Sequence, residues 1–441
     1  MGRGLGLWST TALVIGHTIG VGVFLTPAEV IGAVASPALT LGLWLGCGAL
    51  VLAGAFTFGE LASRYPLAGG PYVYLREAWG ERIAFLYGWQ SLLVMDPGVI
   101  AALATGLSSY AVVLWPPAAG AERWLAVAVI WLLAIVGAAG LTPSARVLGI
   151  LTACKVAALV GVVVIALAAG RGRWSHFEPF VARHASGVPL GEALALGLVA
   201  VFFSFGGFWE ASRVAGEVRD ARRTLPAALV LGIASVTGLY VATTVAFIYL
   251  VPPRQAASAP AFAQAAGEAL LGRAGPSSLA LVVLLSAAAS LLALLIMAPR
   301  LYLAMSGDRL FPAALARRHP ATGSPARATL LLALLASLFA WAGTFRGIVA
   351  FFMCTTLAFI ALAAAALIRV RRRHPDHAGF SAPGHPLTTV LFVLLVAGVV
   401  TLVAVNRPLE AATGFAAVLL GVPAHAVLAG RRAVEEPTSA R

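Results

Sequence analysis

Long apolar runs broken by short polar links make up almost the whole chain. A bilayer core about 30 Å thick needs about 20 mostly apolar residues per helix. Cutting the 441-residue chain at its charged and Pro/Gly-containing links leaves twelve such runs. They cover residues 7–33, 38–63, 83–114, 122–142, 145–170, 190–213, 225–251, 276–306, 327–345, 347–370, 386–405 and 410–430. This pattern predicts an all-α integral membrane protein with 12 transmembrane helices.

Composition removes the alternatives. Hydrophobic residues make up 60% of the chain and charged ones 11%, with a mean hydropathy of +0.93. Soluble domains carry roughly a quarter charged residues, and no water-soluble fold hides this much apolar side chain. The net charge of +13 would fit a nucleic-acid partner, but the arginines sit in the links, where they act as topology signals, so no nucleic acid is expected. With a cytoplasmic N-terminus, 21 arginines fall inside and 8 outside, which predicts that both termini are cytoplasmic. Heavy use of Ala, Gly and Arg with short links points to a prokaryotic plasma membrane. The first apolar run has no small-residue cleavage site after it and is read as a retained helix. Cys47, Cys154 and Cys354 lie in apolar segments without metal-type or paired spacing, so neither a disulfide nor a metal site is expected. The absence of a P-loop, an HExxH motif or a long loop leaves no soluble catalytic module and no implied cofactor.

Two runs contain glycine-rich stretches at depth: Gly16-His17-Thr18-Ile19-Gly20-Val21-Gly22 in the first and Phe203-Ser204-Phe205-Gly206-Gly207-Phe208 in the sixth. At 1.5 Å per residue the first sits roughly 14 to 22 Å into the membrane, and the second is comparably deep from the other side. Gly16 and Gly20 also form a GxxxG pair, which by itself indicates close helix packing. A broken helix, by contrast, bares N–H and C=O groups that lipid cannot satisfy, so something polar must fill the gap. A small zwitterion does so: the positive end of a half-helix takes a carboxylate and unwound carbonyls take an ammonium. The motifs open the first and sixth spans, dividing the chain into residues 1–188 (spans 1 to 5), 189–372 (spans 6 to 10) and 373–441 (two further helices and a short tail). Five is odd, so the second unit is inserted upside down, giving a 5+5 inverted repeat with helices 1 and 6 unwound at the midplane.

Lys155, the one lysine beside 29 arginines, falls about 11 residues into the fifth run, roughly 16 Å deep. A titratable ammonium at that depth is expensive and marks function, with a permanently paired structural lysine as the alternative. Asp96, before Pro97 and Gly98, lies roughly 20 Å deep and either pairs with a substrate cation, a proton or Lys155 or is a satisfied structural acid beside a proline kink. Glu210 either faces a cavity or caps the lower half-helix, and His17 is a candidate titrating group or a hydrogen-bonded structural histidine. Glu60 and Glu217, near the cytoplasmic edge, are read as interfacial partners of arginines.

Over about its first ten spans the chain resembles the amino acid–polyamine–organocation (APC) superfamily of transporters, which have the LeuT-type fold. The resemblance rests on Gly16 to Phe24, Gly59-Glu60-Leu61, Tyr65-Pro66, Gly69-Gly70-Pro71-Tyr72, Phe205-Gly206-Gly207-Phe208 and Gly216-Glu217-Val218. Arg222-Arg223-Thr224-Leu225-Pro226, Pro299-Arg300 and Asp308-Arg309-Leu310-Phe311-Pro312 extend it. It implies that the N–H groups of Val21 and Gly22 hold a substrate carboxylate, that the carbonyls of Thr18, Phe203 and Gly206 hold its amine, and that Phe203 is a lid. The chain departs from the pattern at Val21, where the family often has Ser, and at His17, where small or amide residues are commoner. The acidic residue often found past the second break would fall on Trp209, one place before Glu210. Sodium-independent members carry a lysine in span 5, which implies that Lys155 stands in for a sodium ion and braces the span 1 break against span 8.

The expected function is a sodium-independent secondary transporter of amino acids, proton-coupled or an exchanger, and not an enzyme. A pocket lined by Thr18, Ile19, Gly20, Val21, Gly22, Phe203, Ser204 and Gly206 is mostly apolar and favours neutral L-amino acids. His17, Asp96 and Glu210 as polar lining would instead favour a basic amino acid or polyamine. A membrane-embedded transferase would need a nucleophile or paired acids near an interface, which Glu60 and Glu217 do not supply. A non-transporting receptor on the same fold is a third reading.

Overall fold

The computed structural model describes residues 4–20, 22–181, 189–253, 262–343 and 345–435. The first apolar run forms two helices, α1 (Leu7–Thr18) and α2 (Gly22–Val34), followed by α3 (Pro37–Arg64) and the short α4 (Pro71–Trp79). The third run forms α5 (Glu81–Gln90) and α6 (Asp96–Leu114), joined by a π-helical turn at Ser91–Met95. Pro97 has no N–H to give to the carbonyl one turn back, and the Asp96 N–H reaches the Ser91 carbonyl, five residues earlier. Next come α7 (Glu122–Ala138), α8 (Leu141–Ala168) and α9 (Leu190–Ser204). A 3₁₀ segment, Phe208–Glu217, leads into α10 (Ala221–Leu250). The rest is α11 (Phe262–Leu271), α12 (Gly275–Gly307), α13 (Ala326–Ala342), α14 (Phe345–Arg373), α15 (Leu387–Asn406), α16 (Pro408–Leu419) and α17 (Gly421–Glu435).

Among the described residues, nine helices are long and apolar enough to cross a membrane. The three remaining predicted spans are the first, divided between α1 and α2, and the fourth and ninth, whose helices α7 and α13 have 17 residues each. The outer faces carry exposed Leu132, Ile135, Ile150, Val164, Leu338 and Leu394. Such a surface is stable in lipid and would aggregate in water. α12 is the central helix, with Leu291 to Leu301 fully or almost fully buried. It packs along α6 and α8, while α10 packs along α3 and α2 along α9. The two interrupted stretches thus lie against each other and against α12.

Polar ties close one end of the bundle. Glu60 is buried between Arg64 and Arg371 and accepts the Ala382 N–H at 2.7 Å. Glu217 pairs with Arg300 at 3.3 Å, and its carbonyl accepts the N–H groups of Gly4 and Leu5. Tyr72 donates to Asp308 at 2.6 Å beside the Arg76–Asp308 ion pair. Burial and the neighbouring Asp308 push the Tyr72 phenol upward.

Candidate functional site

α1 stops because Ile19, at φ −77° and ψ 88°, leaves the helical region. The last carbonyls of a helix have no partner within it, and here they are met from other helices. Gly16 lets α8 come close: a Cβ there would lie 2.6 Å from Thr152 Oγ1. Three residues on, on the same face of α8, Lys155 Nζ donates to the Gly16 carbonyl at 2.7 Å and to the Ile19 carbonyl at 2.6 Å. From α12, Ser290 Oγ lies 2.9 Å from both of these oxygens. Ser286 Oγ lies 3.0 Å from the carbonyls of Ile19 and Gly20. A fully buried ammonium is tolerable only with such partners, and the negative end of the α1 dipole adds to its stability. Gly16 therefore serves close packing, whereas Gly20 sits in the break, with Leu103 and Ser290 as its nearest neighbours at 3.6 and 3.8 Å from a built Cβ.

The second interruption follows α9. Gly207 has φ +93°, a left-handed conformation open to glycine, and it begins the 3₁₀ segment. A Cβ on Gly207 would lie 2.5 Å from the His17 ring. His17 Nδ1 faces the Ser290 carbonyl at 3.3 Å and must donate to it, which leaves Nε2 of the neutral ring as an acceptor. One hydroxyl joins the two helix ends: Tyr240 Oη lies 3.1 Å from the Thr18 carbonyl and 2.8 Å from the Ser204 carbonyl. Ser204 Oγ and Thr26 Oγ1, 2.7 Å apart, tie α9 to α2.

Between the interruptions lies a cavity of about 110 Å³. At ~10–15 Å³ per water this is room for several waters or one small solute. Thr18, Gly20 and Gly22 line it from the first break and Phe203, Ser204 and Gly206 from the second. Met95, Val99, Leu103, Leu294 and Phe352 make it largely apolar, and His17, Glu210 and Thr356 are its other polar walls. The Gly206 N–H already bonds the Phe203 carbonyl at 3.1 Å, which also faces the Phe205 N–H, and the Gly20 N–H bonds the Thr18 carbonyl at 3.0 Å, which is open to a guest when the Tyr240 hydroxyl turns to Ser204. Ile19 does not line the cavity; its carbonyl is taken by Lys155 and the two serines. Val21 lies outside the described residues.

Asp96 and Lys155 are not in the cavity wall and do not pair with each other. Asp96 is held by Arg213 Nη1, at 2.9 and 3.0 Å from its two oxygens, and by Tyr302. Arg213 also forms an ion pair with Glu210 through Nε, and all three are fully buried. Counting Arg213 among the link arginines is thus corrected: the 3₁₀ segment continues past it and keeps it inside the bundle. Arg300, 2% exposed, is likewise interior. Ser286, Ser290, Tyr240 and Arg213 are functional candidates that sequence reasoning missed. A Ser-x3-Ser pair in an apolar run, and an arginine just past the second glycine motif, were the available signals.

The chain matches the amino acid permease family over residues 5–423. It is 28% identical over 424 residues to the human cystine/glutamate transporter, covering 94% of this chain and 83% of that protein. It is 32% identical over 430 residues to an uncharacterized transporter of Mycobacterium tuberculosis, covering 96% and 91%. Over 280 residues, 61% of this chain and 52% of the relative, it is 31% identical to the human Asc-type amino acid transporter 1. With many apolar helices around two interrupted ones, the chain is a multi-pass membrane protein that belongs to the amino acid permease family of the APC superfamily, a family of amino acid transporters.

Proposed function

We propose that this protein is a sodium-independent secondary transporter of neutral L-amino acids in the plasma membrane, working by proton-coupled symport or exchange with alternating access. In this reading the chain has twelve spans and two cytoplasmic termini. Residues 1–188 and 189–372 form the inverted repeats of a LeuT-type fold, with 373–441 added after them. α1/α2 and α9 with its 3₁₀ continuation are the unwound helices at the midplane. The substrate carboxylate meets the N–H groups of Val21 and Gly22, its amine the carbonyls of Thr18, Phe203 and Gly206, and its side chain the apolar wall beside Phe203. Thr18, Gly20, Gly22 and Ser204 shape the rest of the pocket.

The observation that carries this reading is the Lys155 ammonium on the Gly16 and Ile19 carbonyls, with Ser286 and Ser290 behind it. A cation at that point joins the end of α1 to α8 and α12, as a bound sodium ion otherwise would. Lys155 is therefore the ion-coupling residue in the sense that its ammonium stands where a sodium ion would otherwise brace the break, and no chemical bond in the substrate changes. Purified protein in liposomes loaded with unlabelled L-amino acids should take up labelled neutral ones by counterflow in sodium-free buffer. Absence of counterflow, or a requirement for sodium, overturns the reading. Glu210 in the cavity wall favours one second reading, a basic amino acid or polyamine exchanger. Competition by arginine or putrescine, with none by neutral amino acids, would select it.

A further inference from the structure

Arg213, Asp96 and Glu210 form a cluster of one cation and two carboxylates, fully buried within the bundle. With both acids ionised the cluster carries one surplus negative charge, and the two acids are not equivalent. Asp96 takes both Nη1 contacts and the Tyr302 hydroxyl, and it lies behind the cavity wall. Arg213 Nη2 is spent on Tyr87 Oη at 2.9 Å and Ser91 Oγ at 3.4 Å. Glu210 is left with Nε and the neighbouring Trp209 indole; neither of its oxygens makes a well-formed hydrogen bond among the described residues. Glu210 also lines the cavity. The surplus charge therefore belongs to the one member of the cluster that a guest or a proton can reach, and a buried charge without full compensation must be neutralised.

We propose that Glu210 carries the coupled proton of the transport cycle. Its carboxylate accepts one proton from the cavity when this opens to the more acidic side and returns it when the cavity opens to the other. One O–H bond forms and breaks, and nothing is oxidised or reduced. The groups that face this exchange are Arg213 on the same segment, His17 of α1, Tyr74 of α4, Tyr87 of α5, Asp96 of α6 and Tyr302 of α12. α3 meets the segment through Phe58 against Phe208. Lys155 plays a separate part, since it is outside the cavity wall and spends its donors on the α1 carbonyls. The assignment rests on the proposed transport function and names the residue that couples it to protons.

The test compares wild type, Glu210→Gln and Glu210→Asp in proteoliposomes, with a mixture of radiolabelled L-amino acids as the probe. Counterflow at equal pH measures substrate movement without net proton flow. Accumulation driven by a gradient of one pH unit, worth about tenfold at one proton per substrate, measures coupling. Glu210→Gln should lose accumulation while counterflow persists at whatever rate the altered cavity wall allows, and Glu210→Asp should keep both. Undiminished accumulation in Glu210→Gln overturns the assignment. So does loss of counterflow in Glu210→Gln beside an active Glu210→Asp, which would make the carboxylate a substrate ligand. Loss of counterflow in both variants also overturns it, making the carboxylate structural. Wild-type counterflow without accumulation overturns it and leaves the transport reading standing, whereas wild type without counterflow removes both.

Discussion

The Lys155 ammonium lies 2.6 Å from the Ile19 carbonyl, so a side chain of α8 holds the peptide at which α1 ends. This one contact joins a sequence oddity, a single lysine among arginines, to a break in the first helix. Replacing Lys155 by Met removes the charge and keeps much of the apolar stem. The Gly16 and Ile19 carbonyls then retain only the serine hydroxyls of α12. Lys155→Met should lower the counterflow rate by about tenfold or more, the equivalent of about 1.4 kcal/mol or more. Initial rates in proteoliposomes check this, and a wild-type rate in the variant would show that the brace is dispensable.

Gly207→Ala meets two obstacles. The left-handed backbone at φ +93° costs about 1–2 kcal/mol for a residue with a Cβ, and the new methyl would collide with His17. The variant should melt well below wild type in detergent. Adding His17→Ala should recover part of the loss, because it removes the collision and not the backbone strain. Strict additivity of the two losses in this double-mutant cycle would place the His17 ring elsewhere.

Asp96→Ala leaves the buried Arg213 without its main counter-charge, and breaking such a pair costs about 3–5 kcal/mol. The double variant Asp96→Ala with Arg213→Met removes this pair, leaves Glu210 without its cation and so as the neutral acid, and should regain part of the melting temperature. If the double variant is no more stable than the single, the Asp96 contact is not what holds Arg213 in place.

His377 in the link before α15 gives a pH dependence. Burial, then the positive charge of Arg64, holds its imidazole below the usual 6.5, while Nε2 lies 3.2 Å from Ser63 Oγ. The folded state therefore binds this proton less readily than the unfolded state. The resulting stability is present above pH 6.5 and is lost as pH falls through that value toward the folded pKa. Melting curves of wild type and His377→Gln should converge above this range and separate below it, with wild type losing more. Identical slopes in the two proteins would contradict this.

How far the fold can be read from the sequence follows from which interactions are local. Hydropathy locates apolar runs because lipid demands them residue by residue, and glycine marks Gly207 because a left-handed turn is a local requirement. Lys155 stands out for the same reason: a charge in an apolar run is conspicuous without a structure. Its acceptors are peptide carbonyls more than 130 residues away, and carbonyls leave no mark in a sequence. Arg213 misleads because an arginine near a predicted span end looks like a topology signal. Only the 3₁₀ continuation to Glu217 places it beside Asp96. Tyr240 and Ser290 are ordinary membrane-helix residues until the fold puts them against both helix ends.

The most direct test of the central claim is a density map of the protein with an amino acid bound. The account predicts a zwitterion between the two interruptions, its carboxylate against the N–H groups of Val21 and Gly22 and its ammonium against the carbonyls of Phe203 and Gly206. Continuous helices through both stretches, with a ligand bound elsewhere or not at all, would contradict it.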